Sequence, residues 1–531
     1  MAPKLKTGRR ERRTPESMTL PAAAAERRPG IRREWQSRRA LLPALVAFAT
    51  LVGLAFTNGG FFPRAWTTTA VALLWLVALA LLLGARVELG AVERGWLAFL
   101  AVLVGWTALS ASWSVSPPDS FLETRRTLVY LAGIAAVLVF VQRGFTAHLV
   151  LAVWAAGTVV VAYALARYLS APRIQPSEIE GNLLFRPLGY ANALGILAGA
   201  AAILAVVLTV RARIRVVRTL AAASVAPLAA ALTLTSSRAS ALALVVGLGA
   251  MLLIDRDRLE LIAAMLLLVP AGAAVVALSA HSRLTDLSRL GAGAEREAHR
   301  LGLWILLVAV GLGLARPAVG KAVPLLRLLP RLSRRVAVGA LAAAAIAGVT
   351  VFVVHLGAHF FATGYRASYW HVAWREYIAH PWLGSGAGTF GSYWLRYGIP
   401  GLAGGALDAH NLYLETLAEL GPLGLALVVG ALGLPLVSAV RSRSDVFTSA
   451  AAGGYVAILA HAALDWDWEM PAVMLAGLVC AAALVAARRP DVRTYGPGTG
   501  ARATALALAI GLAAFALVAQ FVPALGGSGP Q

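Results

Sequence analysis

Cysteine and acidic residues are scarce in this sequence. The single cysteine, Cys480, lies inside an apolar run, which excludes an intrachain disulfide and a metal site made of cysteines. Charged residues make up 14% of the 531 residues, whereas a soluble protein has about 25%. Asp and Glu together number 25 against 47 Lys and Arg, so the formal net charge is +22. The low charged fraction argues against a soluble protein, and the basic excess needs its own explanation.

Long apolar segments take the place of charge. Hydrophobic residues make up 59% of the chain, and the mean hydropathy is +0.74. Each apolar segment is long enough to cross a hydrocarbon core of about 30 Å. We predict spans at 39–57, 66–84, 95–112, 127–142, 146–169, 188–210, 216–235, 238–254, 259–279, 301–315, 336–356, 422–440, 447–464, 470–487 and 503–523. The pattern predicts an all-α polytopic membrane protein with about 12–15 transmembrane helices, since membrane β-strands would be short and alternating.

The distribution of basic residues predicts the orientation. Twelve Lys and Arg lie in residues 1–39, and a cytoplasmic N-terminus puts 33 inside and 13 outside, with Arg167 within a span. This bias follows the positive-inside rule of a multi-pass plasma-membrane protein, so we do not attribute the charge to nucleic-acid binding. The predicted parts are a basic disordered cytoplasmic tail (1–38), N-terminal spans (39–356), one large extracytoplasmic loop (357–421), C-terminal spans (422–523) and a short flexible tail (524–531).

The extracytoplasmic loop contains most of the unusual residues. Four side chains recur at helical spacing and predict an amphipathic helix with one aromatic face: Arg366, Trp370, Trp374 and Tyr377. Pro381 should end this helix, and "GSGAG" (384–388) predicts a tight, flexible loop. An interfacial aromatic belt is the alternative. An arginine in the aromatic face, followed by a glycine-rich loop, favours a lipid-linked anionic substrate.

The stretch "DAHNLYLETLAELGPLG" (408–424) follows in the same loop. We predict that Asp408 caps a helix and that His410 projects from the first turn. Asn411, Glu415 and Glu419 then fall on one stripe of that helix. The pair Gly421-Pro422 should bend the chain where it enters the membrane.

Several arginines lie at the predicted outer ends of other spans. They are Arg125, Arg126, Arg186 and Arg238. Arg238 is the most informative, because it stands between two spans with almost no loop. An ionisable residue at that depth suggests a function, and a guanidinium suits phosphate oxygens. Snorkelling of the side chain to the outer headgroups is the alternative.

Together these motifs make the chain similar to a known family. The stretches are "ASWSVSPPDS", "RPLGYANALG" (186–195), "TSSRAS" (235–240), "YRASYWHVAWREYIAHPWLGSGAGTF" and "HNLYLETLAELGPLGL" (410–425). From about residue 100 to 490, the chain resembles the O-antigen ligase/polymerase superfamily of bacterial membrane glycosyltransferases. The resemblance implies an all-helical, C-type glycosyltransferase-like fold whose His-Asn loop faces the cell exterior. The long segment 281–335, the basic tail and the final span depart from the family pattern.

The resemblance also implies roles for single residues. It suggests His410 as the catalytic base, and Arg238 and Arg366 as the arginines that hold a diphosphate. The expected donor is a glycan on a polyprenyl diphosphate, and the acceptor hydroxyl belongs to a glycan, a lipid or a protein. No cofactor or metal is expected. Further residues expected near donor or acceptor are Arg186, Asn192, Trp370, Gly384, Gly386, Asn411 and Glu415.

Two other interpretations remain open. The segment "DWDWEMP" (465–471) contains Asp465, Asp467 and Glu469, which could hold Mg²⁺ or Mn²⁺ or form an ordinary polar turn. A flippase or exporter of lipid-linked sugars is the second alternative. It would require ionisable residues deep within several spans, whereas here they collect at the outer edge.

Overall fold

The computed structural model describes residues 29–84, 87, 89–140, 145–170, 180–282, 284–286, 293–328, 365–399, 406–443, 445–487, 498–519 and 521. The α-helices are α1 (Pro29–Ala55), α2 (Pro63–Leu82), α3 (Ala91–Ser110), α4 (Pro117–Phe140), α5 (Thr146–Ser170), α6 (Ala191–Arg211), α7 (Arg215–Leu234), α8 (Arg238–Ile254), α9 (Arg258–His281), α10 (Ala294–Ala315), α11 (Pro317–Leu328), α12 (Arg366–Ala379), α13 (Phe390–Tyr397), α14 (Leu412–Arg441), α15 (Thr448–Ala462), α16 (Pro471–Ala487) and α17 (Thr499–Val518). Short 3₁₀ turns lie at Asn58–Gly60 and Asp467–Glu469. These ranges contain no β-strand, which confirms the prediction of an all-α polytopic membrane protein.

The helices can be compared with the predicted spans. All but one of the predicted spans coincide with a helix, and the exception, 336–356, lies outside the described residues. So do residues 1–28, 329–335 and 524–531. Within the described ranges, 9 helices are long and apolar enough to cross a membrane, and shorter apolar helices lie at Leu41–Ala55, Arg238–Ile254 and Pro471–Ala487. Helix α1 begins at Pro29, inside the segment that the sequence assigns to the disordered tail.

One end of the helix bundle, which we name the loop end, is formed by the connectors 111–116, 180–190, 235–237 and 463–470 and by the described parts of 365–411. Backbone hydrogen bonds join these segments: Val115 N donates to Ser385 O (3.0 Å), and Leu184 N donates to Leu234 O (3.0 Å). Connectors that alternate along the chain therefore meet at one end, as consecutive membrane crossings require.

The opposite end, which we name the arginine end, is formed by the connectors 212–214 and 255–257 and by the described parts of 442–447. Arg211 is their central side chain. Its Nη1 lies 2.6 Å from Asp255 Oδ2 and donates to Val446 O at 2.9 Å. Exposed arginines surround it, at positions 213, 215, 256, 258, 441 and 443. The two ends thus differ sharply in charge.

Small residues let α8 and α15 approach closely. A Cβ added to Gly247 of α8 would lie 2.6 Å from the carbonyl oxygen of Gly453 in α15, and one added to Gly453 would lie 2.9 Å from that of Gly247. Such close contacts between glycines are typical of membrane helix packing. At the loop end, this close packing brings the C-terminal end of α15 near the N-terminal end of α8.

Candidate active site

The segment 408–411 forms a turn that leads into helix α14. Asn411 is the N-cap: its Oδ1 accepts hydrogen bonds from Tyr413 N (3.1 Å) and Leu414 N (3.0 Å). Asn411 has the extended backbone that a cap requires, with φ −159° and ψ 100°. The prediction of Asp408 as the cap is therefore wrong, and His410 precedes the helix instead of lying in its first turn.

His410 has a backbone conformation that few residues adopt. Its φ is 52°, in the left-handed region where non-glycine residues are uncommon. Asp408 Oδ1 accepts from the amide of His410 at 3.1 Å. One turn into α14, Glu415 Oε2 accepts from the amide of Ala409 at 2.5 Å. A strained conformation that its neighbours hold in this way is typical of functional sites.

The imidazole of His410 lies between a carboxylate and an aromatic ring. Its Nδ1 is 2.6 Å from Asp408 Oδ1, an ion-pair contact without hydrogen-bond alignment. The ring packs against Tyr369 of α12, with centroids 4.7 Å apart and the ring planes tilted by 31°. Burial favours the neutral imidazole, but the charge of Asp408 outweighs burial, so the pKa of His410 lies above its usual value. Because Asp408 faces Nδ1, Nε2 is the ring nitrogen available for proton transfer.

Arg366 begins α12 and is tied to the connector between α15 and α16. Its Nε donates to Leu464 O and its Nη2 to Asp465 Oδ2, both at 2.7 Å. The side chain of Asp465 is 0% exposed, whereas that of Arg366 is 31% exposed. Within the described residues, Nη1 of Arg366 has no hydrogen-bond partner. This nitrogen therefore keeps its hydrogen-bonding capacity, on a side chain that is partly exposed.

Asp465 joins the beginnings of two helices to the end of a third. Tyr190 OH donates to its Oδ1 (2.6 Å), and Asn192 Nδ2 donates to its Oδ2 (2.7 Å), which also binds Arg366. Burial raises the pKa of Asp465, but the nearby histidines and Arg366 outweigh it, so the pKa lies below its usual value. His410 is one of these histidines. An ionised carboxylate thus assembles α6, α12 and α15 within electrostatic reach of His410.

Arg238 begins α8 at the same end of the bundle. Ser237 caps this helix, its Oγ accepting from Ser240 N at 3.2 Å. Arg238 is half-buried inside that capped turn. Ser240 Oγ donates to Asn192 O at 3.1 Å, and Asn192 is the residue that binds Asp465. The turn with Arg238 therefore packs against the group that holds Arg366.

Two other predicted residues lie at the edge of this group. Arg186 is exposed at the loop end, with its guanidinium 5.6 Å from the ring centre of Phe185. Trp370 is half-buried, and its Nε1 is buried without a hydrogen-bond partner among the described residues. The buried face of α12 is formed instead by Val372, Ala373 and Glu376.

The loop 384–388 is mostly buried and tightly packed, so the prediction of a flexible loop is wrong. Gly384 and Gly386 have φ of 75° and 109°. A Cβ on Gly384 would lie 2.2 Å from Glu419 O, and one on Gly386 would lie 2.2 Å from Ser114 Oγ. The carboxylate of Glu419 accepts from the amide of Gly388 in this loop (2.8 Å) and from that of Phe390, the first residue of α13 (3.0 Å). The glycines therefore let the loop pack closely against Ser114 and against Glu419 of α14, the helix that follows His410.

The three carboxylates of "DWDWEMP" bind different partners. The pairs are Asp465 with Arg366 (2.7 Å), Asp467 with His461 (2.9 Å) and Glu469 with Arg126 (2.5 Å). In the part of the chain that the structure describes, no group of three His, Cys, Asp or Glu is placed to hold a metal ion. The metal site that the sequence left open has no support in this arrangement.

A comparison with known families decides the identity of this region. Residues 223–429 match the family model described as O-antigen ligase. The segment 223–429 is similar to O-antigen ligases, and we refer to it as the ligase domain. This match confirms the superfamily that the motifs indicated, and no curated protein matches the sequence significantly. The ligase domain includes Arg238, Arg366 and His410, whereas Asn192 and Asp465 lie outside the matched segment.

Sequence reasoning found some of the residues around the ligase domain's His410 and missed others. It singled out Asn192, which binds Asp465, and Asn411, which caps α14. It also singled out Glu415, whose carboxylate accepts from the amide of Ala409. It considered Asp465 either as a metal ligand or as part of an ordinary polar turn, and it passed over Tyr190 and Tyr369. A usable signal existed for Tyr369, which follows Arg366 at i+3 on the same helix.

If His410 is the general base of the expected glycan transfer, the pH dependence of that reaction should report the contact between Asp408 and His410. A base must be neutral, so kcat/KM should fall as the pH drops through the pKa of His410, which Asp408 raises. Asp408→Asn removes that charge, so the acidic side of the profile should move to lower pH. Asp445→Asn is the control, because Asp445 also accepts from an amide two residues on (2.9 Å), at the arginine end. An unchanged profile in Asp408→Asn would mean that another group titrates.

Proposed function

We propose that this protein transfers or polymerises a glycan from a polyprenyl-diphosphate donor onto an acceptor hydroxyl at the outer face of the plasma membrane. The ligase domain supports glycan transfer of the O-antigen ligase type. The observation that carries the rest is the convergence of His410, Arg366 and the turn with Arg238 on the buried carboxylate of Asp465. A base beside two arginines, at the end of a helix bundle, suits a donor whose diphosphate lies at the membrane surface.

In the proposed reaction, the acceptor oxygen bonds to the anomeric carbon while the bond from that carbon to the diphosphate oxygen breaks. Attack from the side opposite the leaving group inverts the configuration. The hydroxyl proton passes to Nε2 of His410, and Asp408 stabilises the imidazolium that forms. The electrons of the broken bond leave with the polyprenyl diphosphate.

The arginines are proposed to carry the electrostatic part of the reaction. Arg366 would present Nη1 to a phosphate oxygen while Asp465 and Leu464 hold its other nitrogens. Arg238, at the capped start of α8, would contact the same diphosphate. Both contacts strengthen as negative charge develops on the leaving group, which is the requirement for lowering the barrier.

The position of ionisable groups favours this chemistry over export of lipid-linked sugars. Among the described residues, the buried Asp, Glu, Arg and His side chains lie in connectors or within about two turns of a helix end. A transport path would require such groups deep within several spans.

The direct test uses purified protein in lipid nanodiscs, with a labelled glycan on polyprenyl diphosphate and a series of acceptor hydroxyl compounds. We expect labelled glycan on one acceptor class and release of polyprenyl diphosphate in equal amount. Movement of intact donor across vesicle membranes, without transfer, would instead support the exporter.

Topology provides a second prediction. Ser392 is exposed in α13 at the loop end, and Arg213 is exposed at the arginine end. With Cys480 replaced by alanine, Ser392→Cys should react with an impermeant maleimide added to intact cells, and Arg213→Cys should react only after lysis. The reversed pattern would place His410 in the cytoplasm and would end the proposal of an extracytoplasmic reaction.

Chelation provides a third prediction. The carboxylates of 465–469 are engaged with Arg366, His461 and Arg126, and the arginines are proposed to do the work of a metal. Transfer by the purified protein should therefore survive exhaustive EDTA treatment. Loss of activity that Mg²⁺ or Mn²⁺ restores would shift the assignment to Asp465 and Asp467.

A further inference from the structure

A second cluster of ionisable and hydroxyl side chains lies behind the proposed site. His461 Nδ1 is 2.9 Å from Asp467 Oδ1, and its Nε2 is 3.0 Å from Ser240 Oγ. All three residues are buried, with exposures of 0% for His461, 1% for Asp467 and 0% for Ser240. The arrangement has the residue types of a hydrolase triad, but no substrate can reach a hydroxyl that is fully buried. Its role must be exerted through its neighbours.

The backbone of His461 holds the connector that binds Arg366. The carbonyl oxygen of His461 accepts from Leu464 N (2.8 Å) and Asp465 N (3.0 Å) at the end of α15. Leu464 O and Asp465 Oδ2 are the two acceptors of the Arg366 guanidinium. The position of His461 therefore sets the position of both acceptors.

The side chain of His461 holds the turn that carries Arg238. Its partner Ser240 also contacts Ser237 Oγ (2.7 Å), the cap of α8. Helix α6 presses on this turn, because a Cβ added to Gly195 would lie 2.8 Å from Ser240 Oγ. The turn is thus fixed between α6 and the imidazole of His461.

One residue therefore links the elements that present the two arginines. A buried histidine with a purely structural role needs only acceptors or donors for its two nitrogens. Here the ring contacts the turn of Arg238 on one side and, through Asp467, the connector of Asp465 on the other. We infer that His461, oriented by Asp467, is a positioning residue that fixes Arg238 relative to Arg366 and thereby the site for the donor diphosphate. This inference rests on the proposed function.

The test removes the hydroxyl that connects His461 to the turn. Ser240→Ala should raise the KM for the polyprenyl-diphosphate donor by about 10-fold, the usual worth of a hydrogen bond in a charged network. Inhibition by free polyprenyl diphosphate should weaken equally. The KM for the acceptor and the acidic side of the pH profile should not change, since His410 is held by other contacts. Ser438→Ala is the matched control, because Ser438 is also fully buried and, among the described residues, bonds only its own helix, to Leu434 O at 3.2 Å.

A double-mutant cycle separates positioning from general stability. If Ser240 acts through Arg238, then Ser240→Ala should have little further effect in an Arg238→Ala protein. Additive effects, or an unchanged donor KM in Ser240→Ala, would overturn the inference and leave the proposed function intact. If Arg238→Ala itself leaves the donor KM unchanged, the assignment of Arg238 fails and the inference with it. Should Ser240→Ala fold poorly, Ser240→Cys, which keeps the size but weakens the hydrogen bond, is expected to show the same selective change.

Discussion

His410→Asn is expected to lower kcat for glycan transfer by about 10²–10⁴, the usual contribution of general-base catalysis, with little change in the KM for the donor. Asparagine tolerates the left-handed backbone that His410 adopts at φ 52°, so the turn should keep its shape. Its amide cannot accept a proton at neutral pH. Alanine is a poorer choice, because positive φ would add strain to the loss of the base.

The measurement is transfer from a labelled polyprenyl-diphosphate glycan, with the membrane level of each variant checked by immunoblot. His371→Asn is the control, since His371 is exposed on α12 and bonds only Arg375 in the described structure (2.9 Å). Near-normal transfer by a normally expressed His410→Asn protein would exclude His410 as the base. Its strained backbone would then have only a structural explanation.

Arg366→Ala is expected to impair both donor binding and turnover, with kcat/KM falling by roughly 10²–10³, the cost of removing one preorganised donor to developing charge. Arg366→Lys should recover only part of this loss, because an ammonium cannot bond Leu464 O, Asp465 and a phosphate in the fixed directions of a guanidinium. Arg375→Ala, an exposed change on the same helix, should leave transfer unchanged.

The structure adds a complication to this experiment. Arg366→Ala leaves the buried carboxylate of Asp465 without its cation, which destabilises the fold independently of catalysis. The double variant Arg366→Ala/Asp465→Asn removes the unpaired charge. It should recover the melting temperature and membrane level of the wild type but not its transfer activity. Recovery of transfer in the double variant would show that Arg366 serves only to neutralise Asp465.

The helices and their ends could be predicted from the sequence because each depends on a local property. An apolar segment of about 20 residues has to satisfy its own backbone hydrogen bonds in lipid, so it is helical whatever surrounds it. The end of α12 before Pro381 and the break of α14 at Gly421, where φ is 69°, follow from the chemistry of single residues.

Predictions that depended on which residues contact each other in the folded chain were less successful. Asp408 and Asn411 are both good caps by type, and only the backbone of the turn selects Asn411. In a sequence, the glycines at 384 and 386 are compatible either with a flexible loop or with a loop that packs closely against its neighbours. The proximity of Glu419 and Ser114 shows that the loop packs closely.

The amino-acid sequence was sufficient to predict a polytopic membrane protein, the order of its helices and the set of polar residues at one end of the bundle. Hydropathy and the spacing of charged residues are properties of the chain that need no knowledge of neighbours. The contacts of Asp465 with Arg366 and Asn192, and of His461 with Ser240, are visible only in the folded protein. These contacts join residues far apart in the chain, across interfaces where small side chains bring helices close. The pairing of a buried charge depends on that packing, because a carboxylate removed from water must take the partners that the neighbouring helices supply.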